Sequence, residues 1–262
     1  RGGDIEMTAG LGSSDASLNG GDGGRITLRG GLAGGQNSLL DVGGNLQFFG
    51  GTSLAASGGA VIIGTGLSST TSSGQMYLLT ADSAADGVSG SVDTYTGKAL
   101  KGNSGYIAMN TGDSTSGRAG DIDLQVGVGD SGSGGAMYMV AGETTAEGMQ
   151  GGTIQIKGGL ASNIKDAYGG DVQVNGGMGL GSARGTNILD RGGHVAITGG
   201  TATGGTGGSI YLTTGYGQLY TSGDIKLSTS NSGLDGVSGM VTIETGTSNE
   251  LGGATGMIRL ST

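Results

Sequence analysis

The chain is 262 residues long, and 65 Gly, 28 Ser and 28 Thr fill nearly half of it. Pro, Cys and Trp are absent, which excludes disulfides, thiolate nucleophiles, cysteine-held zinc or iron–sulfur sites, and a Pro-rich collagen helix. Twelve Lys and Arg against 21 Asp and Glu give a net charge of −9, the wrong balance for a nucleic-acid partner, and no apolar run approaches the ~20 residues that span a bilayer.

One motif recurs along the whole chain. It opens on Gly, carries apolar residues two and four positions later, and closes seven positions later, usually on Gly. Gly152-Thr153-Ile154-Gln155-Ile156-Lys157-Gly158-Gly159 is one copy, and Gly208-Ser209-Ile210-Tyr211-Leu212-Thr213-Thr214-Gly215 is another. In chain order the leading Gly falls at 3, 24, 44, 59, 74, 90, 105, 120, 135, 152, 170, 193, 208, 223, 239 and 256. Seven of the fifteen intervals are 15 residues, and the others run from 16 to 23.

Two apolar columns fix the local structure expected of each motif. The first includes Ile5, Ile26, Ile107, Ile122, Ile154, Ile210, Ile225 and Val241. The second includes Met109, Leu124, Ile156, Leu212, Leu227 and Ile243. Of the 32 column positions 31 are apolar, Thr94 being the exception. Residues two apart share one face of a strand, and the position between them is mostly polar or Tyr, so the pattern predicts half-buried strands. Runs of five residues between glycines exclude helices.

Linkers of Gly, Ser and Thr separate the motifs. A small residue recurs two places after the closing position (Ser68, Ala99, Ser114, Gly217), where tight turns are expected. The longer linkers, 11–20, 32–41, 160–168 and 178–190, are expected to project sideways. A second period lies over the first: residues 43–97 and 192–246 align without a gap at an offset of 149, with 22 of 55 positions identical. The domain reading is one continuous repeat array over 1–262, internally duplicated as 3–151 and an incomplete 152–262.

One strand cannot bury its apolar pair alone, whereas stacked copies can. The fold expected is all-β: a parallel β-solenoid, or β-helix, of about sixteen short strands, with two opposed sheets favoured because they bury more. The column residues named above form its structural core ladder. The sixteenth motif stops at Thr262 before its closing position, and open strand edges at the ends would add copies end to end.

Chemistry is thin. His194, the one His, has no partner that spacing identifies, and the acids are scattered, with Asp4, Asp121, Asp171 and Asp224 each opening a different motif. No catalytic, cofactor-binding or metal-binding residues are expected, and the chain is expected not to be an enzyme. Neither tandem calcium nonapeptides nor an EF-hand loop occurs, which leaves incidental calcium in loops. No Gly-Gly pair continues into Gly-Lys-Ser/Thr, so a phosphate loop is set aside. No Thr column of the ice-binding kind repeats. No Asn-x-Ser/Thr sequon is present, while the 56 Ser and Thr offer sites for O-glycans. Tyr77, Tyr138 and Tyr211 share the wet position, where they would pack in a ladder or stack on sugars.

Repeats of the form Ser-Gly-x-Ile-x-Leu-x-Thr-Gly followed by a Ser/Thr/Gly linker resemble large Gly/Ser/Thr-rich β-solenoid proteins of microbial and algal surfaces and bacterial haemagglutinin-type adhesins. The resemblance covers essentially the whole chain. It implies an extracellular or cell-surface location and a structural role in a filament or appendage that self-associates end to end. The alternative is an adhesin or fibre shaft whose variable linkers contact glycans.

Overall fold

A computed structural model describes residues 3–14, 20–37, 39–84, 86–162, 166–180, 190–234, 236–248 and 254–262. Its contacts fall into two units, Arg1–Leu124 and Gln125–Thr262, with the boundary inside the eighth motif.

The parallel β-solenoid is not what the chain forms. Among the described residues there is no helix and no strand, only bends, turns and extended segments. None of their side chains is buried, and the accessible surface is 26883 Å². A compact monomer of this mass, 25.2 kDa, would expose roughly 10,000 Å². The expected ladder therefore has no dry seam: Ile107 is 54% and Met109 65% exposed. The pattern of alternation was legible, but alternation specifies which side chains share a face and not whether a neighbouring backbone pairs. Two aliphatic side chains in a 15-residue, Gly-rich repeat return little for the ordering of so much backbone.

The regular backbone hydrogen bonds of the described residues lie at the ends of the linkers. At nine of the fifteen junctions between motifs the leading Gly N–H donates to the closing carbonyl of the motif before it. The bonds run from Gly59 to Gly51, Gly152 to Gly142, Gly193 to Gly177 and Gly208 to Gly200, each at 2.8 Å, with the same pin at Gly24–Gly10, Gly44–Gly31, Gly74–Gly66, Gly170–Gly159 and Gly223–Gly215. Each pin brings the two ends of its linker together. A one-motif solenoid coil would pair the start of a motif with the start of its neighbour. These bonds pair start with end.

At some pins a Gly before the closing Gly leaves the space the bond uses, although Ala9, Ala141, Thr65 and Thr214 hold the same place at other pins. A Cβ on Gly30, Gly50 or Gly158, the residue just before the closing Gly, would lie 2.0, 2.0 and 1.9 Å from the carbonyl oxygens of Gly44, Gly59 and Gly170. Elsewhere Thr takes that place and packs its side chain on the next leading Gly. A Cβ on Gly239 would lie 3.2 Å from Thr229 Cγ2, and Thr96 Oγ1 donates to the Gly105 carbonyl at 3.3 Å.

Inside the loops, hydroxyls cap the turns where small residues were expected. Ser68 Oγ accepts from the N–H of Thr70 (3.3 Å) and Thr71 (2.9 Å), and Ser53 Oγ accepts from Ala55 (3.4 Å) and Ala56 (3.0 Å). A Cβ on Gly217, at the equivalent place, would lie 2.4 Å from the Thr221 carbonyl oxygen. In the long linker over 32–41, Asn37 Oδ1 accepts from Leu39 N–H at 3.0 Å, and Asp41 Oδ2 accepts from Asn37 N–H at 2.7 Å. Part of 11–20, 160–168 and 178–190 lies outside the described residues.

Candidate assembly surface

Between the linkers each motif has no helix or strand among its described residues, and its functional potential lies in what it leaves open. Past the pin the ladder does not continue: among the described residues, no backbone bond joins the interior of one motif to another. The interior N–H and C=O groups of Thr153–Lys157, for example, face no backbone partner among the described residues. Such segments are templates for pairing with another chain.

The apolar columns lie on these open segments with a regular pattern of cover. From Ile26 to Ile258, first-column residues are 49–57% exposed, whereas Ile5, in the first motif, is 95% exposed. Second-column residues from Met7 to Ile243 are 50–81% exposed, whereas Leu260, in the sixteenth motif, is 93% exposed. The cover is the same in motifs with a pin and in motifs without one, such as Ile107 at 54% and Ile258 at 50%, and it is lost only in the first and last motifs, which points to neighbouring motifs as its source. A first-column residue thus gains cover from the motif before it and a second-column residue from the motif after.

All fourteen ladder residues expected from sequence sit on this surface, half or more exposed. Ile5, in the first motif, lacks the cover that a preceding motif gives the others. The wet position carries Gln47, Tyr77, Asp123, Tyr138, Gln155 and Tyr211, all exposed.

No reactive cluster stands beside the columns among the described residues. His194 is exposed at the start of the twelfth motif, with no hydrogen bond to an acid among the described residues. Asp121 pairs with Arg118 on the surface, bridging a linker to its following motif, and exposed pairs of this kind contribute little. Asp4, Asp171 and Asp224 are exposed on separate motifs. Among the described residues no three His, Asp or Glu side chains come close enough to hold a metal ion. No helix among them is long and apolar enough to cross a membrane.

Sequence reasoning passed over one feature, the pairing of double glycines. Gly30-Gly31 faces Gly43-Gly44 across one linker, and Gly50-Gly51 faces Gly58-Gly59, Gly158-Gly159 faces Gly169-Gly170, Gly176-Gly177 faces Gly192-Gly193, and Gly199-Gly200 faces Gly207-Gly208. At every one of these five the first Gly of the closing pair lies against the next leading Gly, and the second accepts the pin. Doublets at both ends of one linker, and at neither end of others, were the available signal.

Comparison with family models, with curated proteins and with solved structures gives no match to this chain.

Proposed function

We propose that this chain is a structural protein, one that forms or contributes to an extracellular filament or surface appendage by associating with its own copies. The carrying observation is a surface of 26883 Å² bearing two apolar columns that the chain itself leaves about half or more open. Soluble monomers keep contiguous apolar patches to a few hundred Å². A chain that exposes an apolar pair in motif after motif, Thr94 being the one break, is built to have it covered. The Ser/Thr-rich linkers suit an extracellular, O-glycosylated setting, and the role needs no catalytic residue or cofactor.

The test is assembly. Purified full-length chain, concentrated stepwise and imaged by electron microscopy, is expected to form filaments above a threshold concentration. Monomers persisting at every concentration would overturn the reading.

A second reading has one observation in its favour. Tyr77, Tyr138 and Tyr211 stand at the same motif position, each at least three-quarters exposed, an arrangement suited to stacking on sugar rings. Retention of the monomeric chain on immobilised glycans, lost in a Tyr138→Ala, Tyr211→Ala variant, would favour an adhesin over a filament protein.

A further inference from the structure

The open motif edges bear on how copies associate as well as on whether they do. We infer that copies pair laterally, each motif segment forming a parallel, in-register β-ladder with the same motif of the next copy; this mode of contact rests on the structural role proposed above. The strands would thus come from different molecules, and no coil of one chain is required.

Three observations lead there. The interior backbone groups of the motifs are open along the described chain, so the pairing capacity is distributed over the motifs and not confined to the ends. At nine of the fifteen junctions a pin holds a motif's start against its predecessor's end, while the motif interiors keep no backbone partner among the described residues. Third, motif intervals vary from 15 to 23 residues. A copy shifted by one motif, or reversed, meets linkers of the wrong length, while a copy in register matches all of them. Irregular spacing therefore selects like on like.

In-register stacking also sorts the wet position. Gln47, Gln155 and Gln173 would form amide ladders, and Tyr77, Tyr138 and Tyr211 would form aromatic stacks, both of which support parallel strands at ~4.8 Å. The segments are free of Pro, as such ladders need. Charges do the opposite. Asp93 falls on Asp93 and Asp123 on Asp123, within a chain of net charge −9, so association is opposed at low ionic strength and promoted by added salt.

The absence of native Cys permits a direct experiment. A nitroxide is attached to the full-length Gln155→Cys variant, the protein is assembled in salt, and its electron spin resonance spectrum is recorded. Labels stacked at strand spacing give a strongly broadened, exchange-coupled spectrum, and tenfold dilution with unlabelled chain before assembly restores separate lines. Gln47→Cys, in the other unit, gives the same result and guards against a local effect at one site. Filaments that show sharp, non-interacting spectra for both labels would overturn lateral in-register pairing while leaving the structural role intact. Failure of labelled and unlabelled chain alike to assemble, at any salt concentration, would overturn both.

Discussion

Gly158 and Gly159 are chemically identical neighbours with different duties. A Cβ on Gly158 would collide with the Gly170 carbonyl oxygen, whereas one on Gly159 meets nothing within 4 Å. Gly159 contributes instead its carbonyl, which accepts from Gly170 N–H at 2.9 Å. Ala141 holds the same place at the Gly152–Gly142 pin with the bond intact at 2.8 Å, so Gly158→Ala is expected to weaken the pin by forcing a local backbone shift and Gly159→Ala to leave it alone. With a net hydrogen-bond contribution of about 1 kcal/mol, amide exchange at Gly170 should quicken roughly five-fold in the first variant and stay unchanged in the second. Nuclear magnetic resonance exchange rates on the dilute chain check this, and equal acceleration in both would remove the steric account. Glycine matters for a different reason at Gly148, whose φ is 71°, a left-handed conformation inside the loop pinned by Gly152 and Gly142. Ala at that position is disfavoured by the backbone even though the space around it is open.

At the scale of the element, the linker is the folded unit and the motif is the open one, a reversal of what the sequence leads one to expect. The expectation was right about the places: leading and closing glycines mark the loop ends, and the small residue two beyond the closing position caps the turn at Ser68 and meets backbone at Gly217. It failed on pairing, because the Ile154/Ile156 alternation is equally compatible with a ladder inside the chain, a ladder between chains, or neither. The distinguishing information lay in the glycine doublets flanking a linker, which report backbone proximity and carry no hydropathy signal. Ser68→Ala should remove one cap and raise exchange at Thr71 by a few-fold, with the pin at Gly74 as the control amide. Ile210→Asp offers a sharper contrast. With Ile210 half exposed, the charge should leave the Gly208 pin in place yet suppress assembly, as seen by light scattering. Loss of the pin together with assembly would mean that the columns hold the single chain together after all.

For the whole molecule the decisive quantity is the lack of any buried side chain among the described residues. Without a core there is no cooperative unit to melt. Urea titration of the dilute chain, followed by far-ultraviolet circular dichroism, should give a gradual change with no sigmoidal step. A steep transition would require a packed interior, which the described residues lack. Fold and role part company here. The Cys-free composition excludes thiolate chemistry and cysteine-held metal sites, and the exposed columns supply a physical reason for the proposed self-association. The candidate surface was half legible, since its residues were identified and their burial was not, burial being a property of neighbours that a single repeat does not encode.

Residue-resolved hydrogen exchange of the dilute, unassembled chain tests the central claim most directly. Protection is expected at the leading amides, Gly59, Gly152, Gly193 and Gly208 among them, with free exchange at Ile154, Ile156, Ile210 and Leu212. Uniform protection across the motif interiors of the monomer would contradict it.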